Sequence, residues 1–191
     1  MRGTMKKLIA LSLIPILSGC LTASSPKVTQ WLLEYKGPVR ATRQTKYEVG
    51  RVSQVLVRSP YNEVGIAVLR ADGSMAFDPY NEYAANPTAM LKGFVFDAMD
   101  ASGIFGTVVN PSSSVKSHVL AEVLVSRLAL DCRKEGERKA VAAVRVRLIA
   151  NDGKALYAQG EGTADAKDGN YGAALSDALS TALNTAFGQF R

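Results

Sequence analysis

Hydrophobic and polar positions follow two rhythms along this chain, and the switch from one to the other marks its elements. Val49 to Val57 has a period of two, with Val55 and Val57 on one face and Gln54 and Leu56 on the other, as in a half-buried strand. Before it, Trp31 to Tyr35 is apolar and aromatic enough to open a first strand. Lys36 to Lys46, charged and holding Gly37 and Pro38, reads as an exposed loop. Ile66 to Arg70 and Ser74 to Asp78 flank Ala71-Asp72-Gly73. An Asp-Gly pair supplies the positive backbone angles of a tight hairpin, so these two runs are predicted to pair.

A helical rhythm follows. Asn86 can cap it, and Pro87 suits the first helical position, where no amide hydrogen is needed. Met90, Leu91, Phe94, Val95, Ala98 and Met99 recur at helical spacing while Lys92, Asp97 and Asp100 face away, and Gly103 is a natural stop. Ile104 to Val109 returns as a strand, and Pro111 to Ser114 is a loop. Val119 to Cys132 then runs to a charged turn at Arg133–Lys139. Ala140 to Ile149 alternates cleanly, Val144, Val146 and Leu148 inward and Arg145 and Arg147 outward. Asn151-Asp152-Gly153 makes the next turn before the strand Ala155 to Ala164.

Long antiparallel strands with one wet face need a cover on the other. The last segment offers it: Leu175, Ala178, Leu179, Ala182, Leu183, Ala186 and Phe187 form one apolar stripe, opposite a polar face of Ser176, Asp177, Ser180, Thr181 and Asn184. The pattern predicts an α+β fold, a two-layer sandwich in which a mainly antiparallel sheet carries two helices packed on one face.

The first twenty residues obey neither rhythm. Arg2, Lys6 and Lys7 precede an apolar run, Leu8 to Leu17, that is broken by Ser12 and Pro15. A membrane span needs about 20 apolar residues, so the run is short for one and reads as a secretory signal. It ends in Leu17-Ser18-Gly19-Cys20, which resembles the bacterial lipobox, where a peptidase cleaves before a cysteine carrying a diacylglyceryl group. The expected organisation is a lipoprotein signal peptide over 1–19, a lipidated tether over 20–29 and a single periplasmic domain over 30–191. Met5-Lys6-Lys7 begins a complete signal by itself, so Met1 and Met5 are both candidate starts. The resemblance implies a diacylglyceryl group and a further fatty acyl chain such as palmitate on Cys20, and two or more chains hold a protein firmly on a membrane without spanning it. Leu21 is not the aspartate that resembles an inner-membrane retention signal, which points to the periplasmic face of the outer membrane rather than the inner one.

Charge changes little in this picture. The whole chain has 23 basic and 17 acidic residues, a formal +6. Three basic residues fall in the leader and every acidic one beyond it, so the 20 remaining basic residues leave the mature chain at +3. That suits anionic headgroups but is no nucleic-acid footprint, which needs a clustered basic patch. With Cys20 acylated, Cys132 stands alone, and no intrachain disulfide is expected in the oxidising compartment. It should sit half-buried near a strand end.

Catalytic chemistry finds little purchase. His118 is the only histidine, which excludes a histidine-rich metal site. A His118–Cys132 nucleophile pair would have to meet from opposite ends of one predicted strand, about 45 Å apart at about 3.3 Å per residue. Ser112 to Ser114 lacks the strand-turn-helix setting of a nucleophile elbow. Gly160-Glu161-Gly162 lacks the third glycine of a dinucleotide loop, and no phosphate-binding Gly-Lys-Ser/Thr occurs. Asp97 and Asp100 read as solvating charge. No enzyme activity, metal or cofactor is expected.

A run of local features goes further. Ile66-Ala67-Val68-Leu69-Arg70, then Phe77-Asp78-Pro79-Tyr80-Asn81-Glu82-Tyr83-Ala84, then Pro87 and Met90-Leu91, then Ala101-Ser102-Gly103-Ile104-Phe105 resembles the core of the ABC-type transport auxiliary lipoproteins. Arg70, Tyr80, Ala84, Pro87, Ser102, Gly103 and Phe105 match that pattern. Tyr83 stands where the family usually has tryptophan, and Leu69 where it often has tyrosine. With the lipobox, the opening strand and the closing alanine-rich helix, the resemblance spans nearly the whole mature chain.

The resemblance implies a non-catalytic, membrane-anchored accessory subunit in lipid transport across the periplasm. Its members are similar to the outer-membrane lipoprotein of the paraquat-inducible system, whose partners are an MCE-type substrate-binding protein and an ABC permease with its ATPase. Alternatives are a lipoprotein scaffold or activator of cell-envelope synthesis, and a periplasmic carrier that binds lipid itself. Tyr80 and Tyr83 have two readings, an aromatic edge of the core or a surface for partner docking or homo-oligomer formation, where tyrosines are enriched.

Overall fold

Both Asp-Gly turns close as their composition requires, with Gly73 at φ 81° and Gly153 at φ 83°. The computed structural model describes residues 27–37 and 45–191. Cys20 with its lipobox, and most of the charged loop ahead of Lys46, lie outside the described residues. The strands are β1 (Thr29–Trp31), β2 (Tyr47–Val57), β3 (Gly65–Arg70), β4 (Met75–Tyr83), β5 (Phe105–Val109), β6 (Val119–Cys132), β7 (Lys139–Ala150) and β8 (Ala155–Asp165). The helices are α1 (Pro87–Ala101) and α2 (Tyr171–Gly188). At the start of α1, Asn86 Oδ1 accepts the Thr88 N–H at 3.0 Å.

The spine is β6. Along one edge it pairs antiparallel with β7 over its whole length, and β7 pairs antiparallel with β8. Its other edge is shared. β2 takes the first half, from Gly50↔Val119 to Val57↔Val125, and β3 takes the end, from Val68↔Leu130 to Arg70↔Cys132. Both of these pairings are parallel, as are β2 with β5 and β1 with β4. The longest pairings are the antiparallel ones expected, yet the sheet is mixed. The chain leaves β2 and enters β3 heading the same way along β6, so neither can run against it.

Both helices cover one face, and a single apolar cluster joins them to it. Val119, Ala121, Val123 and Val125 of β6 face the helices, and so do Leu128 and Leu130. That phase change is absorbed by a bulge between Val125 and Arg127. The apolar stripe of α2 is buried throughout, as expected. It lies directly on β8: a Cβ on Gly160 would come 2.0 Å from Ala182 O, and one on Gly162 2.0 Å from Ala178 O. The glycines that failed as a nucleotide loop are thus the seat of the closing helix.

The polar stripe of α2 is a correction to the pattern reading. Ser176 and Ser180 are buried, not solvated. Ser176 Oγ accepts the Glu34 N–H at 3.1 Å, Ser180 Oγ accepts the Lys36 N–H at 2.9 Å, and the Tyr35 hydroxyl donates to Asn184 Oδ1 at 2.6 Å. One turn earlier, Gly172 leaves room for Trp31, whose Cε3 lies 2.8 Å from where its Cβ would stand. Gly172, Ser176, Ser180 and Asn184 recur every four residues, which places them in one row on a helix. The expected strand Trp31 to Tyr35 is therefore a strand only as far as Trp31. Beyond it the backbone trades a sheet partner for the serine hydroxyls of α2.

Candidate docking face

Apart from a small second cluster of Ala67, Ala129 and Val141, the sheet face away from the helices is open among the described residues, and the strand registers arrange its side chains in rows. One row reads Gln54, Glu122, Arg147, Tyr157 across β2, β6, β7 and β8. The next reads Leu56, Leu124, Arg145, Gln159. A third reads Arg127, Ala143, Glu161 across β6, β7 and β8. Arg58, just past β2, is fixed beside it by the hydrogen bond its backbone N–H donates to Val125 O at 2.9 Å. The bulge turns Arg127 out onto this face, where it is exposed.

Charge and apolar surface are interleaved here. Arg147 Nε donates to Glu122 Oε2 at 2.8 Å, a bond that with the nearby Tyr157 hydroxyl raises the Arg147 pKa. Arg58, Arg127 and Arg145 have no such partner: among the described residues their guanidinium groups enter no hydrogen bond or ion pair. Leu56 is 46% exposed and Tyr157 72%. An open depression of about 580 Å³ runs over Leu56, Leu124, Arg145 and Tyr157. A second, of about 390 Å³, is bordered by Arg58, Arg127, Arg145 and Glu161. Arginine and tyrosine are among the residue types enriched at protein contact surfaces.

The two tyrosines singled out from sequence part company. The segment from Phe77 to Tyr83 belongs to β4, bulged around Asp78, whose Oδ1 accepts from Tyr80 N and Asn81 Nδ2, both at 2.9 Å. Tyr80 is exposed on the bulge, as is Phe77. Tyr83 is 1% exposed and packs in the core, so as an interaction residue it is withdrawn. Among the described residues its hydroxyl has no hydrogen-bond partner, and burial pushes the phenol pKa well above its ordinary value. The reason is alternation: two positions of a bulged strand that the pattern places together end on opposite sides.

His118 and Cys132 sit where the pattern places them. His118, just before β6, approaches Glu48 at 3.7 Å, while Cys132 is the half-buried last residue of the same strand. Among the described residues no three metal-ligating side chains cluster. Cys20 lies outside the described residues, and no helix among them is long and apolar enough to cross a membrane. The arginines beyond Arg145 and Arg147 were missed. Arg58 sits past the end of its alternating run, and Arg127 faces outward only because of a bulge that the pattern does not reveal.

These features define a two-layer α+β domain with one filled face and one open, arginine-bearing sheet face. The chain is similar in fold to the crystal structure of XCC0632 from Xanthomonas campestris, described under the family model DUF330, with TM-score 0.59, 15% identity, and 87% of this chain and 98% of that one covered. An uncharacterised protein gives TM-score 0.59 at 14% identity, covering 80% of this chain and 90% of its own. A PelC dodecamer from Paraburkholderia phytofirmans superimposes at TM-score 0.38 with 18% identity over 78% of this chain and 93% of that one, too loosely to carry an argument. No family model matches the chain. No curated protein matches it either.

Proposed function

We propose that this protein is a non-catalytic, membrane-anchored accessory subunit of an ABC/MCE-type lipid transport system, held at the periplasmic face of the outer membrane by acylated Cys20. The observation that carries the reading is the open sheet face: exposed Leu56 and Tyr157 and unpaired arginines on a domain whose other face is packed by its helices. A domain built this way acts by contact. The close seating of α2 on Gly160 and Gly162 favours contact over carriage, because it leaves no room between that helix and β8 for a lipid chain. The lipobox and the ordered run from Arg70 to Phe105 supply the membrane and transporter side of the proposal.

Isolation of the acylated protein from native envelopes tests it. An MCE-type substrate-binding protein and its permease should co-purify, and deleting either this protein or the MCE protein should give the same defect in outer-membrane lipid composition. Recovery without those partners, together with an unaltered lipid composition in the deletion strain, would contradict the proposal.

A further inference from the structure

We infer that the open sheet face binds an acidic, extended segment of a partner protein, with carboxylates over Arg58, Arg127 and Arg145 and an apolar side chain over Leu56 and Leu124. The inference rests on the docking role proposed above, not on the identity of the transported lipid.

Charge complementarity carries it. Arg147 is neutralised within the protein by Glu122. The other three enter no ion pair among the described residues, with Asp131 a more distant charge along β6 from Arg127, and among the residues bordering their depression Glu161 is the only carboxylate. Guanidinium groups exposed in a cluster favour carboxylate or phosphate, which they can grip with two parallel hydrogen bonds. Their supports are rigid: Arg127 and Arg145 stand on paired strands, and the Arg58 backbone is bonded to β6. Little ordering cost is left for binding.

Spacing selects a peptide. Leu56 and Arg58 lie two residues apart on one strand, roughly 7 Å along it at about 3.4 Å per residue. An extended segment with a carboxylate and an apolar side chain two residues apart repeats that distance, so both contacts can form at once. An anionic membrane surface fits less well. It would press a continuous layer of negative charge against Glu122 and Glu161 as well as against the arginines, whereas a peptide places its charge selectively.

The test uses the acylated full chain in zwitterionic nanodiscs and two labelled synthetic peptides, one repeating Glu-Ser-Leu-Ser and one repeating Lys-Ser-Leu-Ser. The acidic peptide should bind about tenfold tighter than the basic one, and combined Arg58→Ala, Arg127→Ala and Arg145→Ala substitution should remove that advantage. Arg145→Glu with Arg127→Glu should shift preference toward the basic peptide. Equal binding of the two peptides, or an unchanged advantage in the folded triple variant, overturns the inference. So does displacement of the acidic peptide by phosphatidylglycerol vesicles, which would assign the face to a lipid surface. None of these failures would touch co-purification of the transporter subunits, since the peptides carry no transporter sequence.

Discussion

The carbonyl oxygen of Ala182 occupies the space that a side chain on Gly160 would need: a Cβ there would lie 2.0 Å away. The offending atom is helix backbone, which cannot swing aside. Gly160→Ala should therefore lift α2 off β8 and destabilise the domain by about 1–3 kcal/mol or more. Gly93, inside α1, is the internal control. Nothing lies within 4 Å of its Cβ position, so Gly93→Ala should stabilise by up to about 1 kcal/mol through helix propensity. Urea denaturation of both variants checks the contrast.

The serine row on α2 makes a separate prediction. Ser176→Ala and Ser180→Ala each remove the acceptor for one backbone amide, that of Glu34 or Lys36. Each should cost about 0.5–1.5 kcal/mol. Amide exchange locates the loss better than global stability does, since the Glu34 and Lys36 amides should each speed up in the matching variant while β6 and β7 keep their protection.

Tyr83 carries a buried hydroxyl without a partner among the described residues. Removing it leaves the ring packing intact, so Tyr83→Phe should be neutral or stabilising by up to about 1 kcal/mol. Tyr83→Ser, which empties a core site, should cost several times that, roughly 3–5 kcal/mol. Tyr80→Ser, at an exposed position, should stay within about 0.5 kcal/mol of wild type. Thermal melts of the three variants would separate the two tyrosines cleanly.

Cys20 is predicted to carry the anchor. Mass spectrometry of the mature protein should find cleavage before Cys20 and the mass of its acyl chains, and Cys20→Ala should accumulate as uncleaved precursor. An unmodified Cys20 at the mature amino terminus would remove the membrane part of the account.

The limits of what the residues disclose follow from physics. Alternation marks where a strand lies and which face is buried, so the extents of β6, β7 and β8 and the buried stripe of α2 were legible. It does not encode partners. That β2 and β3 share one edge of β6 depends on the path of residues 58–64, which no local pattern specifies. Serines opposite an apolar stripe look solvated until a second segment is known to lie on them, and the contacts of Ser176 with Glu34 and of Ser180 with Lys36 join residues more than 140 apart in sequence. The docking face was half legible. Arg145 and Arg147 were read as outward, whereas Arg127 joins them through a bulge and Arg58 through a bond to Val125.

A photo-reactive residue placed in the acylated protein tests the central claim of contact through the open face. Introduced at Leu56 or Tyr157 in intact cells, it should form a crosslink to the MCE-type substrate-binding protein or its permease. At Asp177, on the exposed side of α2, it should not. Adducts from Leu56 and Tyr157 alone are the predicted result; transporter adducts from Asp177 but from neither position on the sheet would contradict the account.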